Sequence, residues 1–128
     1  MKKIALVLAG LLVSSQVFAT PSLTCPSDTA NSGSPAPAGW EIWGNTGTQP
    51  GTYKLAGAIS TVVEKSRGLC VYSVDGNFPK PGDNNLVLVS DRTDLRKGDG
   101  SWTVSPSDPS HVVCTSNTIY GCTFGLLP

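Results

Sequence analysis

The chain has 128 residues, with nine Lys and Arg against nine Asp and Glu, so its formal net charge is zero. A neutral chain has no electrostatic reason to hold DNA, RNA or anionic lipid. This length makes one modest domain, and its single histidine excludes a multi-histidine metal site.

Met1-Lys2-Lys3 precedes an apolar run from Ile4 to Val13, then Ser14-Ser15-Gln16 and Val17-Phe18-Ala19. A basic start, a short apolar region and slim residues at Val17 and Ala19 read as a signal peptide over 1–19, cut after Ala19. Its apolar region is too short to span a bilayer, which takes about 20 residues. Cys25 is no lipid anchor, because Thr24 before it is not small and the apolar run lies far away. Cleavage removes Lys2 and Lys3 and leaves seven positive charges against nine negative. The expected product is a soluble, exported protein of the periplasm or the extracellular medium, with no membrane anchor.

Residues 20–39 read as an irregular N-terminal lead, since Pro26 to Gly39 is Ser, Thr, Pro, Ala, Gly and Asn with one Asp and no apolar period. Residues 40–128 read as a single β domain. From Trp40 the period is two: Trp40 and Ile42 alternate with Glu41 and Trp43. After a Gly-, Thr- and Pro-rich turn from Asn45 to Gly51, Tyr53, Leu55, Gly57, Ile59, Thr61 and Val63 share one parity. Gly57 offers that strand a place to bend. Leu69 to Val74 is a further strand, ended by Asp75-Gly76 and the prolines that follow. Leu86 to Val89 is apolar without alternation, which predicts a central strand covered on both faces. Trp102 and Val104 share a face in the next strand, His111 to Thr115 follows, and the last strand puts Tyr120, Cys122, Phe124 and Leu126 together. About seven short strands without a helix predict an all-β fold, a small antiparallel sandwich or barrel.

The four cysteines, Cys25, Cys70, Cys114 and Cys122, are even in number and follow an export signal, so two disulfides are expected. Three pairings are open. The preferred one closes a short hairpin with Cys114–Cys122 and leaves Cys25–Cys70; the alternative joins Cys70 to Cys114 and Cys25 to Cys122. A four-cysteine zinc site is the competing use, against which stands the wide spacing of the cysteines.

Motifs for chemistry are sparse. His111 is alone, and no Gly-x-Ser-x-Gly elbow accompanies it. Asp75, Asp83, Asp99 and Asp108 sit beside Gly, Asn or Pro, where turn geometry accounts for them. Asp83-Asn84-Asn85 and Asp94 to Gly100 offer oxygen ligands without EF-hand spacing. No catalytic, cofactor or metal residue is therefore assigned. Arg92, Arg96 and Lys97 lie among Asp91, Asp94 and Asp99 and read as a solvated mixture. Trp40, Trp102, Tyr120 and Phe124 fall on inward parity. Trp43 does not: it shares its parity with Glu41 and Asn45, and is the candidate binding residue.

Leu23-Thr24-Cys25-Pro26, Gly39-Trp40, Cys70-Val71-Tyr72, Trp102, Cys114 and Cys122-Thr123-Phe124 together resemble uncharacterised families of small secreted bacterial β domains with disulfides. That resemblance implies fold and compartment and no activity. The resulting expectation is a non-enzymatic exported domain that binds a protein or glycan. The alternatives are a small inhibitor or effector acting through the Asp75–Asn85 loop, and a small extracytoplasmic hydrolase, which the lone histidine disfavours. The cysteine count predicts that thiol labelling of the unfolded, unreduced mature protein finds no reactive thiol; two or four would refute the double bridge.

Overall fold

A computed structural model describes residues 22–46, 51–61, 67–80 and 82–126. The signal reading over 1–19, Val62 to Glu64 and most of the turn before Gly51 lie outside the described residues. The strands are β1 (Ser22–Thr24), β2 (Thr29–Asn31), β3 (Trp40–Thr46), β4 (Thr52–Thr61), β5 (Leu69–Ser73), β6 (Asn85–Ser90), β7 (Leu95–Lys97), β8 (Thr103–Val104), β9 (His111–Cys114) and β10 (Thr123–Leu126). The described residues contain no helix.

All strand pairs are antiparallel and form two sheets. The smaller runs β1-β10-β7; the larger runs β3-β6-β5-β4-β9-β8, with β2 also pairing with β4. One core joins the sheets: Tyr53, Leu55, Ala58, Cys70, Tyr72, Leu86, Leu88 and Cys114 from the larger, Leu95 and Phe124 from the smaller. Two sheets over a shared core answer the sandwich alternative rather than the barrel. β6 is central, between β5 and β3. Its Leu86 and Leu88 enter the core and Val89 is buried on the other side, which explains its unbroken apolar run.

Cys25–Cys70 and Cys114–Cys122 are bridged, 45 and 8 residues apart in sequence. No described cysteine is free, so the preferred pairing holds and the zinc alternative falls. Each bridge restricts the unfolded chain, a contribution of ~2–4 kcal/mol. Two disulfides place the folded protein in an oxidising environment. Among the described residues no helix is long and apolar enough to cross a membrane.

Several expectations need correction. Among the described residues ten strands replace about seven, the extra ones being β1, β2 and β7. Each is three residues long, too short for an alternating pattern to show. Two of them lie in the lead expected to be irregular. Tyr120 is not inward: it is 76% exposed, in a turn where the Gly121 N–H donates to Thr118 O (3.1 Å), and the strand starts only at Thr123. Val74, expected to end the strand from Leu69, and Val104, given the face of Trp102, are exposed, since β5 ends at Ser73 and β8 at Val104 itself.

The parity of β4 also changes midway. Tyr53 and Leu55 face the core, then the register against β5 shifts between Leu55 and Gly57, and beyond the shift Ala58 and Ser60 are buried. Such a bulge puts an extra residue in one strand and re-aims everything after it. The bend therefore falls where the glycine suggested. Gly57 is required by close approach: a Cβ there would overlap the Cys114 carbonyl oxygen and stand 3.0 Å from Phe78 Cδ2. Gly57→Ala should cost at least ~1–3 kcal/mol in denaturant melts. Gly33→Ala, whose Cβ would meet only Asn31 Oδ1 at 3.5 Å, should stay within ~0.5 kcal/mol.

Candidate functional site

β3 lies at one edge of the larger sheet and pairs only with β6 among the described residues. Antiparallel pairing alternates between hydrogen-bonded and non-bonded residue pairs. The Asp91 N–H bonds Gly39 O (2.9 Å) across the Trp40–Ser90 pair, which makes that pair the non-bonded kind. The main-chain groups of Trp40 and Ile42 therefore turn toward the free edge. The Trp40 N–H is taken there by Pro37 O (3.1 Å).

The register of β3 shifts between Ile42 and Gly44, which makes Trp43 the bulged residue. Bulges re-aim side chains and blunt exposed edges. Trp43 is 67% exposed. Trp40, by contrast, packs against the core, its ring centroid 6.5 Å from that of Phe124. Ile42 is not the core residue its shared parity with Trp40 implies: it is 42% exposed. Glu41 pairs with Arg67 (2.6 Å), whose Nε donates to Ser90 O (2.9 Å). That ion pair is exposed and adds little stability.

The loop after β5 borders a groove of about 630 Å³, lined by Val74, Asp75, Asn77, Phe78, Lys80 and Asp83 among others. Asp75 organises it by accepting from the Asn77 N–H (3.0 Å) and Asn77 Nδ2 (3.1 Å). The Ser73 hydroxyl donates to Asn77 O (2.6 Å). The Asn77 hydrogen bonds, main-chain first, hold the Asp75 carboxyl below the usual aspartate range. Asp83 accepts from the Lys80 N–H (3.0 Å). The acids of this loop thus shape turns, as their Gly and Asn neighbours implied.

His111 has a carboxylate partner that sequence reasoning missed. Asp108 Oδ2 lies 2.6 Å from His111 Nδ1, while Asp108 Oδ1 accepts from the Ser110 hydroxyl (2.7 Å) and Ser110 N–H (3.0 Å). The signal was the turn sequence Asp108-Pro109-Ser110-His111, in which an aspartate bonds its own backbone two residues on. A catalytic base needs its nucleophile at Nε2 when the carboxylate holds Nδ1. Ser110 Oγ is instead 3.3 Å from Nδ1 and belongs to the Asp108 turn. Among the described residues no three His, Cys, Asp or Glu side chains converge to hold a metal ion. In the mixed-charge stretch Arg92 grips Asp94 through Nε (2.9 Å) and Nη2 (2.6 Å), and Arg96 and Lys97 are exposed.

Comparison with protein-family models, with curated proteins and with solved structures finds no match in any of the three.

The Asp108 carboxyl is also held below the usual range, first by the Ser110 hydroxyl and then by the Ser110 N–H. Because both Asp75 and Asp108 titrate lower when folded, their stabilising contribution is present above the unfolded aspartate pKa. It is lost as the pH falls through the lowered folded values. Carboxyl-carbon NMR should place both midpoints below the ordinary aspartate value. Ser110→Ala should move the Asp108 midpoint up and leave Asp75 alone.

Proposed function

We propose that the chain is an exported, non-enzymatic binding domain that recognises a protein or glycan through a surface centred on Trp43. The observation that carries this reading is the exposure of a tryptophan on the bulge of an edge strand. A large apolar ring in water costs solubility unless it is covered in function. Tryptophan also leads the residue types on which binding energy concentrates, and its face stacks on sugars and other apolar planes. Next to it, the outward main-chain groups of Ile42 offer hydrogen bonds. Export is the other half of the proposal. It rests on the signal-like sequence of 1–19 and on the two disulfides, and it places the domain in the periplasm or the medium.

One observation favours the inhibitor or effector alternative. Asp75, Asn77 and Asp83 fasten the loop after β5 beside a groove of about 630 Å³, and a preorganised loop loses less entropy on binding. No corresponding observation favours a hydrolase.

Trp43→Ala should change stability by no more than ~0.5 kcal/mol, whereas Trp40→Ala, beside Phe124, should cost ~2–4 kcal/mol. The mature protein would then be screened against a polysaccharide panel and a displayed-peptide library. The expected result is a ligand that Trp43→Ala loses at least tenfold. Ligands indifferent to Trp43, or equal large stability losses in the two mutants, would refute the Trp43 surface.

A further inference from the structure

A recess beside β3 does not include Trp43 in its lining. Between residues 26–37 of the lead and the larger sheet is a cavity of about 190 Å³. Pro26, Ala30 and Ala36 form its roof; Ile42 of β3, Tyr72 of β5, and Leu86 and Leu88 of β6 form its floor. The proline- and alanine-rich composition of the lead explains why a gap persists here. Small and rigid side chains cannot reach down to fill the space above Leu86 and Leu88 as a Leu or Phe would.

The roof is fixed independently of any occupant. The Cys25–Cys70 bridge attaches it to β5. Tyr72 Oη donates to Pro26 O (2.7 Å), and the Leu55 N–H donates to Asp28 O (2.8 Å). Three residue pairs of β2 with β4 and the Trp40 N–H to Pro37 O bond secure the rest. Sites that bind small molecules are commonly preformed and apolar in this way.

The lining selects for charge and size. It contains no Asp, Glu, Lys, Arg or His. Its one titratable group is Tyr72, whose hydroxyl already serves Pro26 and whose burial pushes proton loss well above its usual range. A charged ligand would be desolvated there with no counter-charge, at a high cost. The volume falls below the roughly 300 Å³ at which drug-sized pockets begin, but exceeds the ~150 Å³ of an apolar cavity that takes up benzene. Ser27, Thr29, Asn31 and Ser34 supply polar atoms at the lining, enough for one hydroxyl or carbonyl on the ligand.

We propose that this cavity is a binding site for a small uncharged molecule of single-ring size, aromatic or alicyclic, bound one at a time. The role goes beyond the Trp43 surface and does not rest on it.

Methyl NMR of the disulfide-intact protein tests it, with toluene and benzyl alcohol as probes and benzoate as the charged counterpart. Saturable shifts centred on the Ile42, Leu86 and Leu88 methyls are expected with the two neutral probes and not with benzoate. Ala36→Leu, which fills the roof, should weaken toluene binding at least tenfold. Ala30→Leu is the second filling variant, and the melting midpoint of each shows whether it folds. Trp43→Ala should leave toluene binding unchanged even if it abolishes the partner contact, so the two sites fail separately. Shifts that do not saturate, that centre on other methyls, or that persist in a folded filling variant would overturn the proposal. The wild-type titration decides it even if neither variant folds.

Discussion

Phe124 is the contact on which the two-sheet arrangement depends. It stands on β10, the middle strand of the smaller sheet, and is fully buried. Its ring lies 6.5 Å from that of Trp40 at the head of β3 and 5.9 Å from that of Trp102 just before β8. Those residues belong to the two ends of the larger sheet's strand order, so one phenyl ring gathers both ends against the smaller sheet. Gly68 completes the socket, because a Cβ there would come within 3.0 Å of the Phe124 ring and 3.1 Å of Leu95. A sheet with strands of three and four residues has little hydrogen-bonded area of its own, and isolated short strands are marginal in water. Its place in the fold comes from burying Phe124 and Leu95.

The large features of this fold were legible because they repeat. Five consecutive strand pairs in the larger sheet carry alternating or continuous apolar residues, and the flat run Leu86–Val89 pointed to a central strand. The cysteine spacing favoured the observed bridges for a geometric reason: a hairpin brings residues eight apart together, whereas Cys25 needs a distant partner. What was hidden is what does not repeat. β1, β2 and β7 expose too few side chains per face to form a pattern. Tyr120 follows the alternation of Cys122 and Phe124 in sequence, but the turn at Thr118–Gly121 removes it from the strand. The bulges in β3 and β4 shift parity by one residue, and of the two only Gly57 marked its position.

The candidate surface was legible in part for the same reason. Trp43 is exposed, as its parity with Glu41 and Asn45 led one to expect, and it sits at the bulge. Ile42 was misplaced, because parity gives the side of a sheet and not whether anything covers that side. The cavity behind it depends on a lead of Pro, Ala and Ser meeting Leu86 and Leu88, forty or more residues away in sequence, and no local pattern could reveal that. Asp108 and His111 met through a turn whose aspartate was noted for its geometry alone. One strand thus carries an exposed indole and contributes Ile42 to an uncharged recess.

The two bridges are nested in neither direction: each joins one cysteine to the very next in the chain. That ordering bears on maturation under the export proposed above. A chain threaded N-terminus first into an oxidising compartment presents Cys25, then Cys70, then the remaining two. An oxidant that joins thiols as they arrive makes the native pairs by default, because Cys70 finds only Cys25 waiting and Cys122 finds only Cys114. An interleaved pattern would have trapped a wrong bridge and required thiol–disulfide exchange to undo it. The linkage is therefore suited to vectorial synthesis, in which order of arrival can replace a shuffling catalyst.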